Sequence, residues 1–532
     1  MEHLKRHQQY LFGRAVTRQK LMKGINLVYY GVRNTLSPKG SNSLIIIPGY
    51  SSPLITNDGA TISKYITSED ILTNTGCELV KEVALKSNEI AGDGTTTSIV
   101  LAKHLMEVCF DYLDSNPNRE MYLSSELRKM KSLVKEWIST SNIVKQIKTL
   151  DDIKMIATVS SNDEVIGNLV KEAYESVGGT EGLVTLATSE DMEHHVVLKK
   201  GYKWESGHLR QELITNPKRM ETVMEDSEGV YVLLYKGTIN AYPQNMIEIL
   251  KYIVNLGKKL LIIAEDFNGT GYAPMFATRN EKGISVVGVK SPGFGERTYS
   301  LLQDIEAISG ATIMDDLSKV TLEDLGKIGK VEIGLTSTTI TSLDTYSTRV
   351  DYRIEVLKEE LAKAKHEYDK TTLSSRIAML TTGVSEIQIG AVTETELKDK
   401  KLRVEDALCA VKVAIESGYT AGGGLPYIHF YNFIKEKISS EIASYLEDVY
   451  LSPLALILRN CGENSSRINA IIDTIKEDTS YGYNALTGKL ENLYESGVLD
   501  PIKVVEQAII NSLSIAEIGI TASSMIIGGR NV

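Results

Sequence analysis

The sequence predicts a multidomain protein of mixed α and α/β class, in which an α/β domain is inserted into a mainly helical one. The chain has 532 residues, too many for one comfortable hydrophobic core, so we expect two to four domains. About the first 140 and the last 115 residues carry mainly helical patterns. Residues 195–340 instead alternate short β-branched runs with helical runs, so the chain leaves one domain, builds another and returns.

The first helix is predicted from an apolar stripe with the spacing i, i+4, i+7 and i+11. Its members are Leu21, Ile25, Val28 and Val32. Residues 1–40 also carry eight Lys or Arg against one acid, which is typical of an amphipathic transit peptide. The stripe favours a structural helix with a solvated basic face over the transit peptide. A further helix is predicted over residues 95–109, with one apolar face formed by Leu101, Ala102, Leu105, Val108 and Cys109.

The middle of the chain predicts an α/β unit with a partly parallel sheet. Its expected strands are Val230–Leu234, Leu260–Ala264 and Ile284–Val289. Helical runs near 244–256 and 298–308 separate them. Residues 351–370 are densely charged with leucines at 357 and 361, which indicates a long, solvated amphipathic helix and not a functional acidic tail.

Composition excludes several classes of protein. The net charge of −11, from 58 basic and 69 acidic residues, argues against a nucleic-acid binder held by phosphate contacts. With 42% hydrophobic and 24% charged residues the chain is not expected to be disordered. Apolar stretches such as Leu44–Ile47 and Leu260–Ala264 are far shorter than a membrane span, and no signal-peptide core opens the chain. We therefore expect no nucleic-acid partner and no membrane.

The four cysteines are widely scattered and form no C-x-x-C pair. They are Cys77, Cys109, Cys409 and Cys461. This pattern favours reduced, buried thiols in a reducing compartment and argues against a structural zinc site. Together with the absence of a targeting segment, it leads us to expect a cytoplasmic location.

The sharpest local motif is Ala91–Thr97, Ala-Gly-Asp-Gly-Thr-Thr-Thr, directly before the helix at 95–109. Its two glycines let the backbone turn tightly and approach a ligand. The three threonines fall where a helix N-terminus offers free N–H groups, so the motif is suited to hold phosphate. Asp93 would repel phosphate unless a cation such as Mg²⁺ lay between them. The alternative is a plain helix cap made by Asp93 and Thr95, which needs fewer special residues than the motif contains.

Three further segments have the composition of ligand loops. Thr35–Gly40 ends the first helix with turn chemistry, and Gly422–Gly424 follows a helix predicted over Val404–Glu416. Thr56–Gly59 is a turn between two runs that resemble strands, Leu44–Ile47 and Ala60–Ile66. No Walker A, H-E-x-x-H or G-x-S-x-G pattern occurs, so a nucleotide site here is not of P-loop type.

These segments, in this order, resemble group I chaperonins, the bacterial and organellar 60-kDa ring ATPases. The resemblance runs from about Phe12 to about Ile527 and includes co-linear motifs beyond the glycine–threonine loop. They are Leu261–Asp266, Lys290–Arg297, Leu301–Ile305, Arg403–Leu408, Asn460–Glu463, Gly482–Ala485 and Gly497–Pro501. The Ser-Pro-Gly-Phe-Gly block within Lys290–Arg297 favours group I over the archaeal and eukaryotic-cytosolic chaperonins.

The resemblance implies a domain layout. An equatorial ATPase domain would comprise residues 1–142 and 417–532, an intermediate domain residues 143–200 and 386–416, and an apical domain residues 201–385. It also implies roles for individual residues. The phosphates would be lined by Thr35, Pro38, Gly40, Gly94, Thr95, Thr96 and Thr97, and the base and ribose by Gly423, Asn484 and Asp500. Asp93 would hold Mg²⁺, while Asp58 and Asp406 would be the acids near the attacking water.

The chain departs from the family pattern at several positions. Ser37 stands where the family has glycine and Asn57 where it has lysine, which predicts weaker nucleotide affinity or slower turnover. The client-binding groove would comprise Leu213, Ile247, Leu250, Tyr272 and Phe276, with a rim made more polar by His208 and Glu212 and smaller by Ala277. The C-terminus lacks the Gly-Gly-Met repeat common in the family.

Positions that lie between stacked rings in the family also differ. Ala455 and Asn464 replace an arginine and a glutamate, and Arg467 replaces an aliphatic residue. Loss of both charges, with added repulsion between arginines, predicts single rings or a labile double ring. The resemblance implies that each ring is seven-fold.

The resemblance therefore implies an ATP-dependent chaperone that captures non-native protein and encloses it in a homo-oligomeric ring, with ATP and Mg²⁺ as cofactors. The resemblance allows a co-chaperonin lid as a further partner but does not require one. The main alternative is a degenerate chaperonin that holds clients or scaffolds assembly with little turnover. A metabolic kinase with a non-P-loop phosphate site is a remote alternative, because nothing in the apical region indicates a small-molecule pocket.

Overall fold

The computed structural model describes residues 10–46, 54–180, 182–189, 191–199, 201–216, 220–279, 285–293, 296–343, 347–363 and 367–527. The chain forms two compact units. Unit 1 comprises residues 1–171 and 389–532, and unit 2 comprises residues 172–388. The middle of the chain is thus inserted between two ends that fold together, as the sequence pattern predicts. The finer division into three domains stays a prediction; residues 143–171 and 389–416 belong to unit 1.

The N-terminal part of the chain is mainly helical. Its helices are α1 (Arg14–Val32), α2 (Gly59–Tyr65), α3 (Ile71–Ala91), α4 (Thr95–Ser115), α5 (Glu120–Thr140), α6 (Leu150–Ser161) and α7 (Glu164–Ser176), the last of which contains the unit boundary. Its short strands are β1 (Tyr10–Phe12), β2 (Ser43–Ile45) and β3 (Leu54–Thr56), of which β2 and β3 pair antiparallel. The predicted stripe of α1 is buried at all four positions.

Unit 2 is an α/β unit, as expected. Its strands are β4 (Leu183–Thr188), β5 (His195–Lys199), β6 (Gly201–Trp204), β7 (Thr222–Ile239), β8 (Leu260–Phe267), β9 (Val286–Lys290), β10 (Ile313–Met314), β11 (Gly326–Ile333), β12 (Thr338–Thr341) and β13 (Val384–Ile389). Its helices are α8 (Gln244–Asn255), α9 (Ala273–Thr278), α10 (Glu296–Ser309), α11 (Ser347–Lys363) and α12 (Glu367–Thr382).

The main sheet of unit 2 is mixed, with the strand order β6-β12-β11-β7-β8-β9 and β10 on β7. Strands β7, β8 and β9 are parallel, and β11 and β12 join them antiparallel, which confirms the partly parallel sheet. A second sheet has the order β4-β13-β5. The strand β8 is buried along residues 260–264, so these apolar residues form the centre of the unit 2 core.

The C-terminal part returns to unit 1. Its helices are α13 (Glu394–Ser417), α14 (Leu425–Ile434), α15 (Ser440–Asn460), α16 (Ser465–Glu477) and α17 (Ile502–Thr521). Its strands are β14 (Tyr419–Ala421), β15 (Gly482–Asn484), β16 (Lys489–Glu491), β17 (Leu499–Pro501) and β18 (Met525–Ile527). The antiparallel pairs are β14–β17, β15–β16 and β1–β18, and the last joins the two ends of the chain.

The core of unit 1 surrounds α4 and α17, which pack against each other and against α3, α5 and α15. Helix α4 is buried on more than the one face that its sequence predicts, because Ile99, Val100 and Met106 are buried as well. Among the described residues, α17 alone is long and apolar enough to cross a membrane. Most of it is buried in this core, as expected for the central helix of a folded domain.

Three expectations need correction. The predicted strand Ala60–Ile66 is wrong, because Asp58 caps a helix there and residues 59–63 are buried in unit 1. The single helix predicted over 351–370 is described as two, α11 and α12, with 364–366 outside the described residues. None of these four cysteines, all of them in the described part of the chain, forms a disulfide bond, but only Cys77 and Cys109 are buried, whereas Cys409 and Cys461 are half-buried. The C-terminal residues 528–532 and Phe294–Gly295 of the family motif lie outside the described residues.

Candidate functional site

The loop between α3 and α4 has the geometry of a ligand loop. Gly92 and Gly94 have φ values of +67° and +79°, which favour glycine. Each is also closely packed: a Cβ at Gly92 would lie 2.4 Å from Cys409 Cβ, and one at Gly94 would lie 2.4 Å from Val504 Cγ1. Conformation and packing therefore both require glycine at these two positions.

The N-terminus of α4 has no side-chain cap. Its N-cap residue is Gly94, and the backbone N–H that donates to Asp93 is that of Gly94 (2.6 Å), which lies ahead of the helix. The alternative of a plain cap made by Asp93 and Thr95 is therefore not what the structure contains. The first N–H groups of α4, which Thr95–Thr97 contribute, are left for a ligand or water.

Two carboxylates approach each other at this loop. Asp93 also accepts a hydrogen bond from Ser160 Oγ at 2.9 Å, at the end of α6. Burial, together with the charge of Asp58, raises the pKa of Asp93. A cation between the two acids would relieve this repulsion, and carboxylate oxygens are the donors that Mg²⁺ prefers. No cluster of three potential metal-ligating side chains occurs among the described residues. Mg²⁺ at phosphate sites usually takes its other ligands from phosphate oxygens and water.

Asp58 is held firmly beside the loop. Its carboxylate caps α2, accepting from the N–H groups of Ala60 (3.0 Å) and Thr61 (2.9 Å) and from Thr61 Oγ1 (2.5 Å). A Cβ at Gly59 would lie 2.3 Å from Thr96 Oγ1, so the start of α2 touches the first turn of α4. Asp58 therefore does not belong to a surface hairpin.

The turn that follows α1 lies against the same helix end. Thr35 Oγ1 is 3.2 Å from Thr96 Oγ1 and donates to the carbonyl of Val32. Gly40 is required by close approach, because a Cβ there would lie 2.5 Å from the Thr35 carbonyl oxygen. Asn460 Nδ2 fixes the turn by donating to two of its carbonyls, those of Arg33 (2.9 Å) and Leu36 (2.7 Å).

Pro38 is contacted from α6. Asn162, in the left-handed conformation that ends α6, donates from Nδ2 to the Pro38 carbonyl at 3.1 Å. Two residues at the end of α6, Ser160 and Asn162, thus contact the two loops that the sequence assigns to phosphate. Sequence reasoning gave no role to Ser160, Asn162 or Asn460, although Asn460 belongs to a motif that carries the resemblance.

Asp406 is brought to the loop by α13. It is half-buried and lies one helical turn before Cys409, the residue that touches Gly92. Helix α13 also packs against β3, which precedes Asp58, and against α6. Segments more than 300 residues apart in sequence therefore converge at one place.

The residues expected to bind the base and ribose lie around β14 and β17. Thr420 and Asp500 are opposite each other in this strand pair, and a Cβ at Gly422 would lie 2.8 Å from Asp500 Oδ1. Burial, followed by the charge of Asp93, raises the pKa of Asp500 to about 7. Gly423 has a φ of +64°, and a Cβ placed on it would lie 3.6 Å from the carbonyl oxygen of Tyr483.

Asn484 is engaged within its own hairpin. Its Nδ2 donates to Glu491 Oε2 at 3.1 Å, and its Oδ1 accepts from the Leu486 N–H at 3.0 Å. The hairpin lies beside Gly423, but the amide of Asn484 stabilises the hairpin and is not directed to a ligand in this conformation.

Residues 29–528 match the family described as the TCP-1/cpn60 chaperonin family. The chain belongs to the TCP-1/cpn60 chaperonin family. Chaperonins are in general ATPases that act on non-native proteins and form oligomeric rings. This match covers the whole family and does not distinguish group I chaperonins from the others, so membership of group I stays a prediction.

Two solved structures have the same fold along nearly the whole chain. Both are of the chaperonin gp146 from the bacteriophage EL 2 (Pseudomonas aeruginosa), in presence of ATP-BeFx, in two crystal forms. Each is 20% identical in sequence and covers 97% of this chain and 99% of its own, with TM-scores of 0.61 and 0.59. This likeness establishes the chaperonin fold for a divergent sequence.

The apolar positions at which this chaperonin is expected to bind clients lie in unit 2, and they differ in exposure. Leu213 and Leu250 are 1% and 6% exposed, so their side chains pack in the core of the unit and not at a surface. Ile247 and Tyr272 are half-buried, and Phe276 is 43% exposed. Only the last three are placed to contact another molecule in this conformation.

The surface beside them contains both apolar and polar groups. Tyr252 and Leu256, at the end of α8, are about half exposed and were not predicted from the sequence. Tyr272 is fixed by donation from its hydroxyl to the Phe267 carbonyl (2.6 Å), and the Arg210 guanidinium lies 4.6 Å from its ring centre. Of the residues expected at the rim, Glu212 and Ala277 are exposed and His208 is half-buried.

Proposed function

We propose that this chaperonin is an ATP-driven folding chaperone, with its Mg²⁺-dependent ATPase site at the N-terminus of α4. The observation that carries the proposal is the convergence of four separate segments on the uncapped end of α4. They are the Thr35 turn, the Asp58 cap, the Asp406 helix and the Asp500 strand. The ATP analogue named for the two phage chaperonin structures supports nucleotide as the ligand.

The residues present fit in-line hydrolysis, in which a protein supplies positioning and charge compensation. Thr35, Pro38, Gly40 and Gly94–Thr97 would hold the phosphates through hydroxyls and backbone groups. Bound Mg²⁺, held by Asp93, would neutralise phosphate charge. Asp58 and Asp406 would orient the attacking water and accept its proton, while Gly423, Asn484 and Asp500 would hold base and ribose.

The experiment that tests this is ATP hydrolysis and ATP binding by the full chain and by Asp406→Ala. Because Asp406 acts mainly in the transition state, we expect a loss of turnover of about 100-fold or more with ATP affinity within about threefold. Asp93→Asn should abolish Mg²⁺-dependent binding or turnover. Glu416→Ala is the matched control, since Glu416 is an exposed acid on the same helix.

The outcomes separate the proposal from its alternative. Binding without hydrolysis in the unchanged protein favours the degenerate chaperonin that holds clients. An Asp406→Ala variant that loses affinity but keeps turnover would show that the role given to Asp406 is wrong.

We infer that clients bind at the exposed apolar surface of unit 2 around Phe276. Phe276→Ser with Tyr272→Ser should weaken capture of a chemically unfolded test protein several-fold without changing basal ATP turnover, because the recognition rests on apolar contact area. Tyr352→Ser, at a 70% exposed tyrosine of α11, is the control. Unchanged capture by the double variant would place the client surface elsewhere.

We also infer a homo-oligomeric ring, expected to be seven-fold. Within the part of the chain that the structure describes, two small sheets of unit 1, β1–β18 and β2–β3, have two strands each, so their outer edges have no strand partner there. Three exposed apolar residues lie on or beside these two sheets: Leu44 (62% exposed), Ile46 (81%) and Ile526 (64%). Edges of this kind invite pairing with another chain. A co-chaperonin lid, group I membership and a cytoplasmic location remain expectations from the sequence.

A further inference from the structure

Tyr494 lies in the loop that leads to β17, the strand of Asp500, which is expected to bind the ribose. Its hydroxyl donates a hydrogen bond to the carbonyl of Ile143 and lies 3.3 Å from Thr420 Oγ1. A phenol has one proton to donate, so in the second contact the Tyr494 oxygen accepts from the Thr420 hydroxyl. One side chain therefore connects this loop both to the segment that precedes α6 and to β14.

The Tyr494 ring is also held by a charge. The Lys145 ammonium lies 3.8 Å from the ring centre, which is a cation–π contact. Lys145 in turn exchanges two backbone hydrogen bonds of 2.8 Å with Tyr419 on β14. The segment 143–145 is thus fixed to β14, and it gives Tyr494 a well-placed partner.

The Thr420 side chain lies on the same face of the β14–β17 strand pair as that of Asp500. The two residues are directly opposite in this antiparallel pair, and opposite residues have their side chains on one face. Gly422, two residues after Thr420, belongs to that face as well, since a Cβ there would lie 2.8 Å from Asp500 Oδ1. Tyr494 therefore contacts the face from which the Asp500 carboxylate extends.

The loop between Tyr494 and Asp500 is closely packed. The Val498 N–H donates to the Leu493 carbonyl at 2.9 Å, and the Val498 carbonyl accepts from the Gly422 N–H at 2.8 Å. Gly497 has a φ of +76°, and a Cβ there would lie 2.9 Å from Met155 Cγ on α6. These contacts leave the loop little freedom, so the position of Tyr494 helps to determine that of Asp500.

We propose that Tyr494 is a positioning residue for the nucleoside part of the bound nucleotide. Its hydroxyl holds the loop and Thr420 so that Asp500 is placed to contact the ribose. The inference rests on the proposed function, in which Asp500 binds the ribose and the N-terminus of α4 binds the phosphates. Because Tyr494 belongs to neither phosphate loop, its loss should weaken nucleoside binding more than phosphate binding or the hydrolysis step.

Tyr494→Phe tests the inference, because it removes the hydroxyl and keeps the ring beside Lys145. In the full chain with Mg²⁺, we expect the KM for ATP and the Kd for ADP and adenosine to rise about 3- to 10-fold, while kcat stays within about twofold. The inhibition constant of pyrophosphate, which lacks a nucleoside, should also stay within about twofold. A purely structural role would instead lower the Tm and leave all these binding constants unchanged.

Thr420→Val tests the same hydrogen bond from its other side. We expect weaker ADP binding here too, because the Tyr494 hydroxyl then loses one of its two contacts. The double variant should bind ADP about as weakly as Tyr494→Phe alone, since both changes act on one contact. Additive losses would show that the two hydroxyls act independently, and so would contradict a joint positioning role.

Tyr431→Phe is the matched control. The Tyr431 hydroxyl also donates to a backbone carbonyl of unit 1, that of Ala443 at 3.3 Å, but it joins α14 to α15. Its removal should leave KM and the Kd values unchanged. Unchanged nucleoside affinity in Tyr494→Phe, or an equal loss of affinity for ADP and pyrophosphate, would overturn the inference. If the unchanged protein bound neither ATP nor ADP, the proposed function itself would fail, and the inference with it.

Discussion

At the scale of the residue, Ser37 shows how this chaperonin departs from its family. It has a φ of +92°, the left-handed region in which a side chain is strained and in which the family has glycine. Its hydroxyl compensates in part, accepting from the Lys39 N–H (3.3 Å) and hydrogen bonding to the Cys461 thiol. The turn beside the phosphate site is thus made with a residue that is unfavourable there.

Ser37→Gly should therefore stabilise the protein relative to Ser37→Ala by about 1 kcal/mol. Alanine keeps the strained Cβ and loses the hydroxyl, whereas glycine removes the strain. Thermal unfolding without nucleotide measures this difference, and we expect a higher Tm for Ser37→Gly than for Ser37→Ala. Asn118→Gly is the control, because Asn118 has a φ of +64° that asparagine tolerates well, so little change is expected. Equal stability of the two Ser37 variants would contradict the strain argument.

The sequence predicted the site residues that carry a local motif. A tight turn needs Gly92 and Gly94 whatever surrounds it, so the spacing of the two glycines was enough to predict the turn. The contributions of Ser160 and Asn162 could not be predicted, because each depends on a partner far along the chain. Asn484 was assigned to the nucleotide by resemblance alone, and nothing local indicated that its amide would be engaged with Glu491.

At the scale of the element, α2 shows where local propensity misleads. Its sequence is rich in residues typical of strands, but Asp58 caps its first turn and α1, α3 and α4 bury it. Such packing outweighs strand propensity, which differs between residues by only about 1 kcal/mol. The long helices α1 and α4 were predicted correctly because their periodicity extends over several turns.

Helix α6 links α13 to the phosphate loops. It packs along α13, which carries Asp406, and its last residues contact Asp93 and the Pro38 carbonyl. Tyr419 adds a further contact by donating from its hydroxyl to Asp152 Oδ1 on α6 (3.2 Å). These polar contacts hold the helix pair where Asp406 meets the loop.

We expect Ser160→Ala with Asn162→Gly to slow ATP turnover about 3- to 10-fold, with ADP affinity changed less than threefold. The change loosens the docking of α6 and α13, which completes the site, but it leaves the direct nucleotide contacts intact. Glycine suits the left-handed position of Asn162, so the backbone keeps its conformation. Steady-state hydrolysis and ADP titration give the two values, with exposed Ser139→Ala on α5 as the control. A loss confined to ADP affinity would contradict a docking role.

At the scale of the whole molecule, the positions that lie between rings in the family carry less unpaired positive charge than the sequence implied. Arg467 Nε forms an ion pair with Glu463 at 2.8 Å within the chain, and Glu463 also accepts from the Tyr483 hydroxyl. Repulsion between arginines of facing rings is therefore reduced. Loss of the charged pair at Ala455 and Asn464 remains the argument for weak contact between rings.

We therefore still predict that single rings dominate, or that a double ring separates during the ATP cycle. Each missing ion pair is worth only about 0.2–1 kcal/mol, but a closed ring repeats the loss in every subunit. Sedimentation velocity without nucleotide and with ATP measures ring number.

Asn464 caps α16 by accepting from the Arg467 N–H at 3.0 Å, and aspartate caps as well as asparagine. Ala455→Arg with Asn464→Asp should thus restore opposite charges without uncapping α16, and shift the population toward double rings. The single variant Ala455→Arg, which adds the positive charge without its opposite, should not. A double ring that stays intact in the unchanged protein, with and without ATP, would show that the missing charges do not control stacking.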